Sequence, residues 1–532
     1  VTTLLLNGRV HSTSHPDATA MAVRDGVVAW LGSDAVGRER FPDAETLDLA
    51  GAFVTPAFVD SHVHLTATGL RLTGLDLAAA EGPGHLLWLL GEYVAAHPGQ
   101  PVWGHGWDDS RWPGTPTTDE VDAVVGLAPV YLARVDVHSA LASTGLRQLV
   151  SGLPAVTGYH RQLPLSAEAH HLVRTEARRL LSWPQRDAAR RAALDAAAAG
   201  GIVAVHECAG PQIGGAEDWQ ELRDIEHGVE VLGYWGEAVS SAAQARALID
   251  STGARGLAGD LFVDGALGSR TAWLSEPYAD NESCSGTCHL DPEAVTEHLT
   301  ACTEAGVTAG FHVIGDAAVA AAVDALERVA ERFGATAIAR CGHRLEHLEM
   351  VSADQATRLG QWGVIASMQP GFDARWGGPD GMYARRLGPG RAARLNPFAL
   401  LASAGVPLAF GSDTPVTSME PWSWVRAASS HHTAGSAISA RAAFAAATRG
   451  AWRAAGVRDG ITGTLVPGAP ACYAVWETGD LDITVPDDSV QRWSTDPRSR
   501  VPALPALDPA STLPRCLQTV HRGSVVYGGP RG

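Results

Sequence analysis

The sequence predicts an α/β protein: a (β/α)8 TIM-type barrel, a small β domain contributed by both chain ends, and an insertion after the first barrel strand. Three observations carry this. Through the middle of the chain, short apolar runs alternate with alanine-rich helical patterns, as in βα units with parallel strands. Eight runs can be counted, at 57–62, 202–206, 229–234, 261–263, 307–312, 344–347, 364–368 and 407–411, the number such a barrel requires. Hairpin-like strand patterns occur only near the two ends, which suggests that the ends pair with each other. The expected boundaries are 1–54 and 456–532 for the two parts of the β domain, and 55–455 for the barrel with its insertion at about 75–163.

Length and composition agree with a large globular chain. At 532 residues, 45% hydrophobic and 18% charged, it exceeds one small core. A net charge of −18 argues against nucleic acid or an anionic membrane as partner, because both need a basic face. The leading run Leu4-Leu5-Leu6 is too short for a signal peptide and has no basic flank, and no stretch approaches the ~18 apolar residues of a membrane span. Seven scattered cysteines suit a reduced, cytoplasmic protein. Cys284-x-x-x-Cys288-His289 would be half a metal site, with no second cysteine pair to complete it. The chain has no lysine: all 40 basic residues are arginine, which excludes every lysine-based mechanism.

Taken in order, residues 2–49 read as short strands, with hairpin turns expected at Asn7-Gly8 and Asp25-Gly26. The first barrel strand leads into Val59-Asp60-Ser61-His62-Val63-His64. His62 and His64 are two apart, so their side chains leave the same face of an extended chain. Two converging imidazoles suit a borderline metal such as zinc. With 21 histidines, roughly one His-x-His arises by chance, so context must decide. The insertion carries a strand at 130–135 and the stretches Trp103–Asp108 and Arg134–His138. Residues 167–199 are helical with a break near Pro184, and 316–333 form a helix with Asp316 as N-cap and Gly334 just past its end. The region 371–397 is rich in Gly, Arg and aromatics without periodicity, as in a loop that forms a lid or pocket wall. Residues 486–514 are Pro- and Asp-rich, an extended surface crossing. Strand patterns return at 474–476 and 519–527.

Barrel active sites are assembled at the C-terminal ends of several strands. Here those ends carry His62 and His64, then His206-Glu207-Cys208, His312, Glu346-His347, and Ser412-Asp413. Together they offer imidazoles and one late carboxylate, the donor set of a hydrolytic zinc that keeps a water. His343 and His347 are four apart, but a zincin needs Glu directly after the first histidine, and Glu346 instead precedes the second.

At these residues the sequence resembles the amidohydrolase superfamily, in the branch that includes N-substituted formamide deformylase. The resemblance rests on five ordered blocks: Pro56–His64, Leu261–Ala272, Phe311–Asp316, Arg344–His347 and Gly411–Val416. It implies a metal-carrying (β/α)8 barrel with a β-sandwich of both termini, and one or two divalent ions, zinc first. It also implies that His62, His64, His312, His347 and Asp413 surround the metal, with Asp413 as general base and then acid toward the leaving nitrogen. Many members carry a carboxylated lysine on the fourth strand, where this chain has Asp260. Aspartate is shorter by about 5 Å at ~1.2–1.5 Å per bond, so Asp260 is not expected to bridge two ions. Three arrangements stay open. One metal could sit on His62, His64 and Asp413, with His312 or His347 as ligand or water-orienting base; Glu207, less readily Cys208, could supply the missing carboxylate; or the site could be metal-poor and inactive. His138, Asp264 and Arg270 are candidates for holding substrate, although Asp264-Gly265 could simply make a turn and Arg270 bind backbone carbonyls. Trp107 and Trp376 are candidate pocket walls. The activity so implied is hydrolysis of a carbon–nitrogen bond in a small non-peptide amide, formamide or N-acyl compound. The alternatives are a mononuclear deaminase of a heterocyclic base and an inactive scaffold. A homodimer is a habit of the family.

Overall fold

The computed structural model describes residues 1–482 and 502–528. Eight parallel strands pair in chain order: Phe58–Val63, Ile202–Ala209, Glu230–Trp235, Gly256–Leu257, Thr308–Val313, Arg344–His347, Ile365–Met368 and Leu408–Phe410. The first, second, sixth and seventh are buried at every residue, because helices cover the outside while side chains fill the centre. The ring closes where the first strand meets the stretch after the eighth. Val63 pairs with Thr414, the Asp413 amide donates to the His62 carbonyl at 2.9 Å, and the His64 amide donates to the Thr414 carbonyl at 3.0 Å.

Seven of the eight strands lie within a few residues of the expected runs, and the fourth does not. Its ladder is confined to Gly256–Leu257, five residues before the expected 261–263. The chain breaks from the ladder at Gly259, whose φ of +78° favours glycine. It then rejoins the fifth strand through hydrogen bonds between Val263 and His312 (3.1 Å) and between His312 and Leu261 (3.0 Å). Asp260 lies in the resulting kink.

Among the described residues the termini build two larger sheets and a short pair of Leu481–Asp482 with Leu504–Pro505. One larger sheet holds Val27–Gly32, Ala20–Arg24, Thr2–Leu6 and Glu45–Asp48; the other holds Arg9–Val10, Phe53–Pro56, Tyr473–Glu477, Arg515–His521 and Ser524–Tyr527. Leu5, Met21, Val28, Val54, Tyr473 and Val520 fill the core that they share. Asp25-Gly26 makes the expected hairpin, with φ of 53° and 75°. Asn7-Gly8 does not: it carries the chain from the first sheet to the second, and the Gly8 and Arg9 amides bond to Thr19 and Ala52 instead.

The insertion is a five-stranded sheet of Leu75–Asp76, Val102–Trp107, Val130–Arg134, Ser139–Ala142 and Leu165–Ser166, packed by helices Pro83–Ala96 and Thr118–Val125. The helical stretch after it splits into Ala167–Arg179 and Trp183–Ala199. The second opens with a Ser182/Gln185 capping box and Pro184 in its first turn. Asp316 is the first residue of helix Asp316–Phe333 rather than its cap; Gly315 takes that place, and the Asp316 carboxylate accepts from Ser275. The region 371–397 is not one loop but three short helices, Pro370–Trp376, Met382–Leu387 and Pro389–Ala392, separated by glycines too closely spaced for a long helical period. The expected crossing at 486–514 lies largely outside the described residues. Among those described, no helix is long and apolar enough to cross a membrane.

The terminal sheets reach the barrel through Phe53–Pro56, which runs into Phe58–Val63 with only Ala57 between. Below the barrel, Phe58 meets Trp422, Phe444 and Trp476 edge-on at centroid distances of 5.2, 5.3 and 5.8 Å. Trp476 also donates to the Thr55 hydroxyl at 2.9 Å. Truncation of Phe58 to alanine in this fully buried cluster should cost about 3–5 kcal/mol, read as a lowered midpoint of denaturant unfolding. A surface control such as Leu127→Ala, at a residue 81% exposed, should leave the midpoint in place.

Candidate metal and active site

The closure of the barrel brings the first group together. Asp60, one register ahead of His62, accepts from the Ser412 amide at 2.9 Å, the Ser412 hydroxyl at 2.5 Å and the His62 amide at 3.2 Å. This clamp ties the first strand to the loop after the eighth, so Asp413 stands beside both histidines. Its Oδ1 is 3.4 Å from the Nε2 of His62 and 3.4 Å from that of His64. Asp60 is fully buried, and burial raises its carboxyl to about 7 against the three hydrogen bonds it accepts.

The second group forms around Asp260. Its carboxylate reaches four histidines: His64 Nε2 at 3.0 Å, His312 Nδ1 at 3.3 Å, His62 Nε2 at 3.4 Å and His347 Nε2 at 3.8 Å. Short as it is, the side chain reaches the histidine cluster directly. The chain leaves the strand ladder before Gly259, and Asp260 enters the cluster from the segment just after it. Burial opposes ionisation of Asp260, but His62 and a hydrogen bond from His312 outweigh it and hold the carboxyl well below the ordinary range.

Outer partners orient the rings. His62 Nδ1 is 2.9 Å from Glu346 Oε2, and His347 Nδ1 is 2.7 Å from Gln369 Oε1, so each imidazole donates outward and turns Nε2 inward. Both Nε2 atoms are buried without a hydrogen-bond partner, as is Nδ1 of His64. His312 is held between Asp260 and the Gly265 carbonyl, the latter at 3.3 Å. Burial works against charging His64, but Asp260 and Asp413 outweigh it and push it up to about 9. For His62 burial is likewise opposed, by Cys208, Asp260 and Asp413, and the net direction is well upward. The field that draws protons onto these rings is one that attracts a cation.

Among the described residues, three sets of donors lie mutually within 4.8 Å: His62, His64 and Asp413; His62, Asp260 and His347; and His62, Cys208 and Glu346. The third is already committed. Glu346 accepts from Arg344 and His62, and burial raises the Cys208 thiol to about 12. Arg344 also reaches the Ser61 carbonyl (2.7 Å), the Ser367 hydroxyl (3.0 Å) and His206 Nδ1 (3.0 Å), forming a polar floor under His62. Burial would raise Glu346, yet Arg344 and then His62 hold it far below the ordinary carboxylate range.

Glu207 does not join the cluster. Its Oε2 accepts from the Leu65 amide at 2.8 Å, at the start of helix Leu65–Thr73, and burial raises it to about 7. Two connected cavities open above the site, sharing Asp136, His138, His312, Asp413 and Val416. One, about 520 Å³ including its mouth, adds His64, Trp103, His171, Arg174, Asp260 and Phe262. The other, about 330 Å³ on the same measure, is walled by Leu267, Ile314, Phe372, Trp376, Met382 and Tyr383. His138 and Trp376 therefore face the cavity. Trp107 does not: it is buried within the insertion and donates to the Leu132 carbonyl at 2.8 Å. Asp264 accepts from the amides of Ile314, Gly315 and Trp273 at 2.8–3.0 Å, which consumes its carboxylate in shaping the loop. Arg270 pairs with Asp280 at 2.8 Å, outside both cavities. Cys284 donates to the Arg270 carbonyl and, like Cys288, belongs to no donor set among the described residues. His343 is buried, 2.8 Å from the Thr303 hydroxyl, with Nδ1 accepting from the Ala309 amide.

Sequence reasoning passed over Asp60, Arg344 and Gln369 as parts of the site, and placed Glu346 at a strand end without giving it a role. Asp60 stands two residues from His62 and Glu346 pairs with His312 across neighbouring strands, so alternation and register were the available signals there; Arg344 and Gln369 carried no such signal. It also passed over His171 and Arg174, for which the signal was a basic stripe on helix Ala167–Arg179.

With the geometry in hand, the chain can be set beside known proteins. The amidohydrolase family matches residues 45–527. Protein LONG AFTER FAR-RED 3 of Arabidopsis thaliana is 27% identical over 520 residues, covering 90% of this chain and 88% of that one. N-substituted formamide deformylase of Arthrobacter pascens is 24% identical over 463 residues, 79% and 81% of the two chains. A solved structure of an uncharacterized metal-dependent hydrolase from Pyrococcus furiosus superposes with a TM-score of 0.68 at 26% identity, covering 89% of this chain and 98% of that one.

The floor beneath His62 supports a stability test. Glu346→Ala leaves Arg344 charged and unpaired in a dry interior, and should cost about 3–5 kcal/mol in denaturant unfolding at pH 7. The apolar double variant Arg344→Met/Glu346→Met should recover most of that loss. Because the folded carboxyl is depressed, the contribution of Glu346 is full above its unfolded value of about 4.3 and declines below it, until it is lost as pH falls through the folded value. The gap between wild type and Glu346→Ala should therefore narrow on acidification below pH ~4.

Proposed function

The chain belongs to the amidohydrolase family, and from that membership we propose that it is a zinc-dependent hydrolase of a carbon–nitrogen bond in a small non-peptide amide, formamide or N-acyl compound. The observation that carries this reading is the convergence of His62, His64, Asp260 and Asp413 around inward-facing ring nitrogens that lack hydrogen-bond partners. Imidazoles and carboxylates in this mixture suit a borderline divalent ion. Both uncommitted donor sets use His62, whose single inward nitrogen serves one ion, so we read one principal metal per chain, held by His62, His64 and Asp413 with Asp260 beside them. His312 and His347 approach Asp260 from the other side and hold it in place.

When bound, the ion supplies Lewis acidity to the substrate carbonyl and makes a water acidic near neutral pH. The rest belongs to the chain. Asp413 faces both cavities, so its free oxygen is positioned to accept a proton from an attacking water and return it to the departing nitrogen. His347, fixed by Gln369, is the second group able to orient that water. His138 is kept neutral, well below its ordinary value, by burial and by His312, and so can donate one hydrogen bond to the substrate without adding charge. The apolar cavity around Phe372 and Trp376 suits an aromatic or aliphatic substituent.

Incubation of the zinc-loaded protein with an N-formyl arylalkylamine should release formate and the free amine in equal amounts. Release of ammonia from a heterocyclic amine, without any amide cleavage, would favour deamination instead. Asp413→Asn should lower kcat by about 10²–10⁴-fold. Glu346→Gln should weaken zinc binding about 10–100-fold in competition with a chelator, because the outer partner of His62 is lost.

A further inference from the structure

Helix Ala167–Arg179 turns His171, Arg174 and Arg178 toward the larger cavity, at spacings of three and four residues that put them on one face. Arg174 is 5% exposed. Its Nη2 donates to the Gln212 carbonyl at 2.6 Å, and its Nε is buried with no partner. The Nε of Arg178 is also buried and unpartnered, and its guanidinium lies 5.8 Å from the ring of Trp103. Among the described residues, neither arginine lies within ion-pair distance of a carboxylate.

Other buried arginines of this chain either meet carboxylates or, as Arg147 does, donate to several backbone carbonyls. Arg134 contacts Asp108, Asp109 and Asp136; Arg190 contacts Asp218; Arg344 contacts Glu346. The carboxylates that share the cavity with Arg174 are already engaged. Asp136 accepts from Arg134 and Ser269, and Asp260 and Asp413 face the histidines. Burial, with Arg178 adding repulsion and Tyr131 partly offsetting it, lowers Arg174 to about 10. A desolvated guanidinium without an anion is destabilising in the free protein and becomes favourable when an anion arrives. Its planar fork matches a carboxylate.

We propose that Arg174, with Arg178 in support, forms a carboxylate-binding subsite, so that the substrate is an amide that also carries a carboxylate. Its carboxylate lies in the polar cavity on Arg174, its apolar substituent in the cavity of Phe372 and Trp376, and its scissile bond between them at Asp413. The assignment of a scissile bond rests on the hydrolase reading above; the anion site does not.

Two measurements on the zinc-loaded full chain separate these. Titration calorimetry compares 3-phenylpropanoate with 3-phenylpropanamide, and hydrolysis compares N-formylphenylalanine with N-formylphenethylamine. Wild type should favour the carboxylate member of each pair by about 30-fold or more. Arg174→Gln should bring both ratios to within about threefold at unchanged zinc content, and Arg174→Lys should keep an intermediate preference. Equal binding of the two ligands by wild type overturns the proposal, and needs no variant. So does an unchanged ratio in Arg174→Gln, which would mean that the metal itself holds the carboxylate. Carboxylate-selective binding lost in Arg174→Gln, with no hydrolysis of either amide, supports the subsite and counts against the hydrolase reading alone.

Discussion

The site depends on how the barrel closes. Strand one does not simply pair with strand eight; it pairs with the loop that follows it, through the bonds from Asp413 to His62 and from His64 to Thr414. Residues 352 positions apart, Asp60 and Ser412, are thereby fixed at hydrogen-bond distance, and two histidines and an aspartate are aimed at one point. A fold that closed one register away would turn His62 and His64 outward, because successive strand side chains point to opposite faces.

Around that point the chain accepts a costly concentration of buried charge. Asp260, Asp413, Glu346 and Arg344 are all buried, and each has an opposite charge or an imidazole near it. Burying charges is unfavourable unless their partners are well placed, and the inward nitrogens of His62 and His347 stay without hydrogen bonds even so. The same rule distinguishes the two kinds of arginine here. Arg344 is satisfied within the protein and is part of the support for His62. Arg174 is bonded to one carbonyl and lines the cavity above the site. One reads as architecture and the other as recognition.

Much of this was legible in the sequence. The eight apolar runs and the donors at their ends carry the barrel and the positions of His62, His64, His312, His347 and Asp413, since strand period and strand order suffice to place them. What was not legible turned on local backbone. Side-chain length speaks only to whether Asp260 bridges two ions; nothing in Leu-Ala-Gly-Asp-Leu announces that Gly259 takes a positive φ and that the Asp260 carboxylate meets four histidines. Glu207 looked like a spare carboxylate, but an amide at a helix start satisfied it first. Trp107, Asp264 and Arg270 have residue types that suit binding and surroundings that suit packing, backbone bonding and a surface ion pair. Their partners, among them Leu132, Trp273 and Asp280, carry no sequence pattern that marks the pairing.

The central claim is that His62, His64 and Asp413, with Asp260 beside them, converge to hold a divalent ion. A crystal of the zinc-loaded protein, with anomalous difference density collected on both sides of the zinc edge, tests it most directly. The account predicts a peak about 2.0–2.2 Å from an inward nitrogen of His62, a nitrogen of His64 and an oxygen of Asp413. Absence of density there, or zinc bound at Cys284 and Cys288 instead, would contradict it.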